Sequence, residues 1–331
     1  MSDTSYNNMH DMLQECLREI QSNAAKLEVP GISSGICSLD DLIGGFEKGK
    51  VYVIGGRPCM GKEEFMLSMI RNITMNKVPV LLFSTNHLKK DYIYRLLSIH
   101  CDIFSSQLQK GFLETEEWDR LDNEIAKLSV APLFIHDSLD LPINEFIETT
   151  RNCIREKEIE IVFIDCLQMI DFARADGNPS EKVAKVMCAL KQLAYEVNLP
   201  IVVGAMLNRR VEHREGIDGK RPQLGDFANS CFIEELADVV MMVHRPEYYK
   251  ILIDEDGENL CGLMEIVVMK NAFKPLGSVF LEYQQHTGFV GRKEETVDFG
   301  SKPVNLKDLK TDNEAVSKLI KTFDLEEETP L

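Results

Sequence analysis

The sequence lacks the features that mark secreted, membrane-spanning and zinc-binding proteins. Its nine cysteines include no C-x-x-C pair and no Cys/His spacing suited to zinc, which favours reduced thiols over a disulfide framework. No charged segment followed by an apolar one opens the chain, and no apolar run approaches the ~20 residues that span a bilayer. No internal repeat is visible. We therefore expect a cytoplasmic protein that makes no membrane contact.

Positive charge is also scarce. The 331 residues carry 37 Lys and Arg against 54 Asp and Glu, a formal net charge of −17. This balance argues against an unselective binder of polyanions, although a local basic lining can still contact nucleic acid inside an acidic protein. The length is sufficient to bury a full core, either as one large α/β domain with appendages or as two smaller domains.

A glycine-rich turn behind an apolar strand is the most informative stretch that is present. Residues Val51–Ile54 form the predicted strand, and Gly56, four further residues, Gly61 and Lys62 follow with the spacing of a phosphate-binding loop. Such glycines let backbone N–H groups approach phosphate oxygens, and the following helix directs its positive end at the same point. Lys62 would contact the β- and γ-phosphates, whereas Glu63 stands where a Ser or Thr would hold Mg²⁺. The candidate nucleotide-binding residues in this loop are Gly56, Arg57, Pro58, Cys59, Met60, Gly61, Lys62 and Glu63.

Asp165 is the predicted partner of this loop. It follows the apolar strand Ile161–Ile164. A carboxylate at such a strand end can hold Mg²⁺ through water, across from the phosphate loop. An Asp at a strand end is, by itself, more often a turn former, but the presence of the phosphate loop makes a metal site the better interpretation.

Short apolar runs alternate with helix-length segments from Gly31 to about Gly291. This alternation predicts an α/β fold with a mostly parallel sheet covered on both faces, and the close spacing of the last two runs predicts a C-terminal antiparallel hairpin. Ligands of such sheets bind at the carboxyl ends of the strands, where the glycine-rich turn lies. The predicted strands are Val51–Ile54, Val80–Phe83, Leu133–Ile135, Ile161–Ile164, Ile201–Val203, Val239–Val243, Glu265–Val268 and Val279–Leu281.

The chain divides into three predicted segments. Residues 1–30 have apolar side chains at helical spacing and form a predicted amphipathic arm, which either lies on its own domain or docks on a neighbouring subunit. Residues 31–291 form the α/β domain. Residues 292–331 are polar and charged and are interpreted as a tail with one short helix near residues 315–323.

Six stretches of the sequence form recognisable motifs. They are Ser34–Phe46, Arg57–Lys62 (RPCMGK), Asp165–Gln168 (DCLQ), Arg221–Asp226 (RPQLGD), Ile233–Val240 and His244–Tyr249. The first motif resembles the opening of many RecA-like ATPases. The others closely resemble the C-terminal motor domain of DnaB-type bacterial replicative helicases, in consistent order over about residues 31–291. This resemblance implies a RecA-like P-loop NTPase fold, hexameric rings, ATP and Mg²⁺ at subunit interfaces, and single-stranded DNA in a central channel.

The resemblance also assigns roles, and only some of the residues fit them. The residues that match are Lys62 (phosphate lysine), Asp165 (metal-associated aspartate), Lys270 (a lysine extended toward the neighbouring subunit's nucleotide), Arg209 and Arg245. The residues that depart are Glu63 for the magnesium-binding Ser or Thr, Asn86 for the glutamate that activates water, Met206 for a glutamine that senses nucleotide and DNA, and Ala272 for the arginine finger. We therefore predict no competent catalytic residue and weak binding of ATP and Mg²⁺.

By order along the chain, the family's DNA-contacting loops fall near residues 172–180 and 209–222. The second loop is a local basic run, and its candidate DNA-binding residues are Arg209, Arg210, Arg214, Lys220 and Arg221. Mobile Lys and Arg side chains of this kind track the backbone of single-stranded DNA. Charge that is simply solvated is an equally good interpretation of the same residues.

The prediction for function is a DnaB-like protein of DNA replication or recombination that binds nucleotide but hydrolyses it poorly. It would assemble as a homo-oligomeric ring or with an intact helicase. One alternative is an active 5′–3′ replicative helicase of a mobile element, in which Glu63, Glu64 or Lys274 substitutes for a missing catalytic group; another is a different RecA-like ATPase. The family's preceding helical domain is missing from the sequence, so recruitment of primase by the usual route is not expected.

Overall fold

The computed structural model describes residues 8–10, 12–14, 16–18, 29–138, 141–170, 178–228, 232–254, 256–272 and 274–292. The chain separates into two compact units, one of Gly31–Val297 and one of Met1–Pro30 with Asp298–Leu331. In the second unit, the described residues 9–10, 12–14 and 16–18 are helical. The predicted tail helix near residues 315–323 and most of the predicted DNA loop at 172–180 lie outside the described residues.

The first unit alternates strands and helices along the chain. Its strands are β1 (Val51–Gly56), β2 (Val80–Ser84), β3 (Leu133–Asp137), β4 (Ile161–Ile164), β5 (Ile201–Met206), β6 (Val239–His244), β7 (Leu263–Asn271), β8 (Gly277–Gln284) and β9 (Phe289–Gly291). Its helices are α1 (Cys37–Ile43), α2 (Lys62–Met75), α3 (Lys89–Cys101), α4 (Ser105–Lys110), α5 (Thr115–Ser129), α6 (Ile143–Lys157), α7 (Pro179–Val197), α8 (Arg210–His213), α9 (Ile217–Lys220) and α10 (Phe232–Leu236).

The strands form a sheet of nine in the order β3-β2-β4-β5-β1-β6-β7-β8-β9. Pairing is parallel from β3 through β6 and antiparallel from β6 to β9. The predicted α/β fold, with a mostly parallel sheet and a C-terminal hairpin of β7 and β8, is therefore confirmed. The short strand β9 was not predicted, because three residues are too few to show a strand pattern.

Two hydrophobic clusters pack on opposite faces of the sheet. In β4, Ile161 and Phe163 belong to one cluster, and Val162 and Ile164 belong to the other. All four side chains are fully buried, as expected of a strand covered on both faces. Burying each of them contributes about 1.5–3 kcal/mol to stability. None of the helices in the described part of the chain is long and apolar enough to cross a membrane.

Local signals fix the ends of the longest helix, α7. The Asn178 side chain accepts a hydrogen bond from the Ser180 N–H at 3.1 Å, and Pro179 occupies the first turn. Proline at this point costs nothing, because its missing N–H would have no partner within the helix. Asn198 ends the helix in the left-handed conformation, with φ of 52°.

The parallel strands end at one edge of the sheet, and this edge positions the candidate site. The glycine-rich turn follows β1, Thr85 and Asn86 follow β2, and Asp165 follows β4. Met206 is the last residue of β5 and pairs in register with Gly56 of β1. Residues far apart in sequence therefore meet around one cleft.

Candidate nucleotide-binding site

The glycine-rich turn forms an open cradle at the start of α2. Gly61 precedes the helix with φ of 94°, a conformation that favours glycine, and no side chain caps the helix. A Cβ at Gly61 would also lie 2.3 Å from the Cε of Met264, the end of a flexible side chain that would have to move. The first N–H groups of a helix have no partner within it, and here they border a cleft of about 290 Å³. This arrangement suits phosphate oxygens. The cleft is lined by Gly56, Arg57, Pro58, Cys59, Gly61, Lys62, Glu63, Glu64, Asn86, His87, Arg95, Cys166 and Met206.

Lys62 crosses the edge of the sheet to reach the strand that carries Asp165. Its Nζ donates a hydrogen bond to the backbone carbonyl of Asp165 at 2.9 Å, and the residue is buried. Lys62 and Asp165 therefore lie together, as the phosphate-loop interpretation predicts. The contact, however, is made by the main chain of Asp165 and leaves its carboxylate free for other partners.

The close approach of the Lys62 side chain to the Asp165 carbonyl depends on Gly204 in β5. A Cβ at Gly204 would lie 2.3 Å from the carbonyl oxygen of Asp165 and 2.9 Å from the Nζ of Lys62. We expect Gly204→Ala to lower the free energy of unfolding by about 1–3 kcal/mol, because a backbone atom must move to make room. It should also weaken ATP binding by displacing Lys62. Thermal unfolding and ATP titration of the variant measure the two effects.

Gly225→Ala is the matched control, because nothing lies within 4 Å of a Cβ at Gly225. It should unfold at the temperature of the unmodified protein and bind ATP equally well. Equal stability and equal ATP affinity of the two alanine variants would contradict the assigned role of Gly204.

The carboxylate of Asp165 is fully hydrogen-bonded to residues outside the phosphate loop. Its Oδ1 accepts from the Thr85 N–H at 2.9 Å and the Thr85 hydroxyl at 2.6 Å. Its Oδ2 accepts from the Asn86 N–H at 3.1 Å and the Tyr92 hydroxyl at 2.8 Å. A carboxylate has about four acceptor positions, so these four donors occupy all of them. The buried side chain therefore ties β4 to the end of β2 and to α3.

Glu63 is held in an ion cluster that lines the same cleft. Its Oε2 accepts a hydrogen bond from Nη1 of Arg95 at 2.6 Å and lies 3.0 Å from Nε2 of His87. Burial raises the pKa of Glu63, but the hydrogen bond from Arg95 and the positive charges of Lys62, His87 and Arg95 outweigh it. The net pKa is below the usual value, so Glu63 is ionised at neutral pH.

The residues expected to hold Mg²⁺ do not fit that role. The saturated carboxylate of Asp165 has no acceptor position left for a metal-bound water. A cation on Glu63 would lie beside the guanidinium of Arg95, and the like charges would repel each other. Within the described ranges, no group of three or more His, Cys, Asp or Glu side chains could hold a metal ion.

The positions that depart from the family pattern lie at two places. Asn86 and Met206 line the cleft. The main chain of Met206 pairs with the Gln168 side chain, which accepts from the Met206 N–H at 3.0 Å. Ala272 directly follows β7, and its N–H donates to the Asp238 carbonyl at 3.3 Å. Ala272 is not among the residues that line the cleft of its own chain.

Lys270, predicted to reach a neighbouring subunit's nucleotide, and Lys274, named as a substitute in the active-helicase alternative, both make contacts within the fold. Nζ of Lys270 donates to the carbonyls of Glu234 and Glu235, at 2.7 and 2.9 Å, at the C-terminal end of α10. A cation is favourable there because a helix C-terminus is negative. Nζ of Lys274 donates to the Ile43 carbonyl at 2.9 Å and pairs with Glu47.

Arg57 connects the phosphate loop to the basic loop after β5. Its Nε and Nη2 donate to Oε1 of Glu212, at 2.9 and 2.7 Å. Its Nη1 donates to the Leu207 carbonyl at 2.7 Å. The guanidinium is therefore directed at the basic loop, and the ion pair with Glu212 joins the two loops.

Three of the five candidate DNA-binding residues are held within the fold. Arg214 pairs with Asp226 at 2.6 Å, and Arg221 pairs with the buried carboxylate of Glu265. Nζ of Lys220 donates to the Glu212 carbonyl at 2.7 Å. Arg209 and Arg210, by contrast, are exposed. The basic run therefore consists of three cations with partners inside the fold, of which Arg221 keeps 43% of its side chain exposed, and of the exposed residues Arg209 and Arg210.

Several residues around the cleft could not be identified from the sequence. The site is reached from the loop between β2 and α3 by Thr85 and His87, and from α3 by Tyr92 and Arg95. Glu212 reaches it from the basic run. No motif marks them. The spacing of Tyr92 and Arg95 on one helix face was the only available signal, and it is equally typical of an ordinary surface helix.

The fold and the cleft define a RecA-like P-loop protein with a phosphate cradle at the carboxyl edge of a parallel sheet. The chain belongs to the family of the DnaB-like helicase C terminal domain, whose model matches residues 31–290.

Individual relatives agree with this assignment. The chain is 33% identical over 276 residues to the "Probable replicative DNA helicase" of Trieres chinensis, covering 82% of this chain and 60% of that protein. It is 28% identical over 304 residues to the replicative DNA helicase DnaC of Bacillus subtilis, covering 91% and 65%. The solved structure of a DnaB-like replicative helicase superposes with a TM-score of 0.77 at 26% identity, covering 88% of this chain and 68% of that one. The chain thus spans less than two thirds of the two curated relatives.

Proposed function

We propose that this chain is a nucleotide-binding member of the DnaB-like family with impaired ATP hydrolysis, acting as a regulatory or structural subunit in DNA replication or recombination. One observation carries the proposal: the cleft holds no free carboxylate where the family pattern places its water-activating glutamate. Asn86 stands there, and an amide cannot accept a proton at neutral pH. Of the other carboxylates at or near the cleft, that of Glu63 is paired and that of Asp165 is saturated, whereas Glu64 lines the cleft without an ion pair to Arg95.

The substitutions at positions 86 and 272 are expected to lower the rate of ATP hydrolysis severely. A positioned general base contributes ~10²–10⁴-fold to a reaction rate. An arginine finger contributes ~10³–10⁵-fold to phosphoryl transfer, and Ala272 cannot replace it. These losses do not simply multiply, because catalytic residues act as a unit. Either loss alone would leave turnover too slow to drive unwinding.

ATP binding is compatible with the same geometry. Lys62, the open start of α2 and the glycine conformations of the phosphate loop are all present. In this proposal the chain assembles as a ring of its own copies or joins a ring with an intact helicase. Single-stranded DNA would contact Arg209 and Arg210, the exposed cations of the basic loop.

An active helicase is the second candidate function, and Glu64 is the observation that favours it. Glu64 lies in the first turn of α2 and lines the cleft. Unlike Glu63, it has no ion pair with Arg95. A carboxylate in this place has the chemistry of a general base, so the activity of a Glu64 variant separates the two functions.

Steady-state ATP hydrolysis, measured with and without single-stranded DNA, tests the proposal. We expect turnover close to background that DNA does not stimulate and that Glu64→Gln does not change. Calorimetric titration of the same preparation should show that ATP binds. Turnover of several per second that falls in Glu64→Gln would overturn the proposal and support the active helicase.

A further inference from the structure

We propose that the cleft binds nucleotide polyphosphate without a divalent metal, and that the guanidinium of Arg95 supplies, together with Lys62, the positive charge that Mg²⁺ would otherwise provide. This inference rests on the proposed nucleotide binding and specifies its ligand as metal-free nucleotide.

Both positions that would serve a metal are lost in this chain. In the matched family pattern, a hydroxyl at position 63 and a carboxylate at position 165 serve the metal. Here position 63 is a carboxylate bound to Arg95, and all acceptor positions of Asp165 are occupied by Thr85, Asn86 and Tyr92. Releasing Asp165 would leave the buried donors of Thr85 and Tyr92 unsatisfied, which costs about 1–3 kcal/mol for each group.

Arg95 is placed to take over the role of the metal. It projects from α3 into the same cleft as Lys62, and 30% of its side chain is exposed, so a ligand can reach it. Glu63 fixes the guanidinium at 2.6 Å, and the ring of Tyr92 lies 6.0 Å from it. Because Tyr92 is itself bonded to Asp165, the guanidinium is oriented by the same network that excludes the metal.

Arg95 and Lys62 together have enough hydrogen-bond donors to bind phosphate oxygens. A guanidinium has five N–H donors, and the bond to Glu63 uses Nη1. The remaining donors suit the planar, two-pronged recognition of phosphate oxygens. When phosphate takes part of the Arg95 charge, His87 remains at hydrogen-bond distance from Glu63, 3.0 Å between Nε2 and Oε2. Lys62 adds a second cation from the phosphate loop.

Calorimetric titration of the full chain with ATP, in excess MgCl₂ and in excess EDTA at matched ionic strength, tests this inference. We expect ATP to bind in EDTA at least as tightly as in MgCl₂. Arg95→Ala should weaken the affinity in EDTA by about tenfold or more, the size of one charge-assisted hydrogen bond. Arg95→Lys keeps the charge but loses the planar pair of N–H donors. Its ATP affinity in EDTA should lie between those of the unmodified protein and Arg95→Ala.

Arg151→Ala is the matched control, because Arg151 also pairs with a glutamate, at 2.7 Å to Glu196, but does not line the cleft. It should bind ATP like the unmodified protein. A cooperative thermal unfolding transition shows that each variant is folded. If Arg95→Ala does not fold, the comparison is made with Arg95→Lys.

The outcomes separate the inference from the proposed function. Binding in MgCl₂ that is about tenfold or more tighter than in EDTA would overturn the metal-free site and leave nucleotide binding intact. Affinity in EDTA that is unchanged by both Arg95 variants would overturn the role of Arg95. The absence of binding in both buffers would overturn the inference and the proposed function together.

Discussion

Replacing Lys62 with alanine should weaken ATP binding by about a hundredfold or more. Nζ of Lys62 is buried at the base of the cleft, and its only hydrogen bond among the described residues is to the Asp165 carbonyl. Its charge therefore lies in the lining of the cleft that also contains the first turn of α2. Each charge-assisted hydrogen bond contributes roughly 1.5–3 kcal/mol, and a triphosphate offers the ammonium at least two acceptors.

Calorimetric titration of Lys62→Ala with ATP measures this effect directly. Lys110→Ala is the control, because Lys110 is an exposed residue at the end of α4, away from the cleft. Its ATP affinity should equal that of the unmodified protein. Equal affinities of the Lys62 and Lys110 variants would mean that nucleotide does not enter this cradle.

Restoring the missing groups should raise ATP turnover by about a hundredfold or more, within the ranges of a general base and an arginine finger. The variant combines Glu63→Thr, Asn86→Glu and Ala272→Arg. Asn86→Glu places a carboxylate in the cleft, Ala272→Arg supplies the finger, and Glu63→Thr removes a negative charge from beside the phosphates. Release of inorganic phosphate from ATP, followed with and without single-stranded DNA, measures the gain.

The matched control keeps the other two substitutions and uses Asn86→Gln, which has the length of glutamate without its basicity. It should gain far less, because an amide does not accept the proton of the attacking water. Equal gains in the two variants would show that a general base is not the missing element. A triple variant as slow as the unmodified protein would also contradict the account.

The sequence was sufficient for the parts of the fold and site that depend on local patterns. Runs such as Ile161–Ile164 are strands because they are short and apolar, and the spacing of Gly56, Gly61 and Lys62 fixes the phosphate loop. The adjacency of Lys62 and Asp165 follows from the topology, since parallel strands end at one edge of the sheet.

The chemistry of the individual side chains could not be predicted in the same way. Asp165 matches an aspartate that serves a metal in the family, but in this fold the hydroxyl of Tyr92 on α3 donates a hydrogen bond to its carboxylate. Lys270 matches its motif and, in this fold, caps α10, because the register of β6 and β7 places it beside that helix. Such partners come from distant parts of the chain, and no spacing in the sequence encodes them. The role of Lys270 toward a neighbouring subunit's nucleotide stays a prediction.

The predicted DNA-binding run shows the same limit. Its five cations are equivalent in the sequence, whereas in the fold Arg214 and Arg221 face the carboxylates of Asp226 and Glu265. Only the three-dimensional pairing distinguishes a cation that shapes the loop from one that faces solvent, such as Arg209. The role of the exposed pair in binding single-stranded DNA stays a prediction.

A single-turnover experiment tests the central claim most directly: that Lys62 holds nucleotide in a cleft without a working general base. Protein in excess is mixed with radiolabelled ATP and single-stranded DNA, and the bound nucleotide is recovered and identified over time. The account predicts that the label is recovered as ATP. Rapid conversion to ADP, abolished by Lys62→Ala, would contradict it.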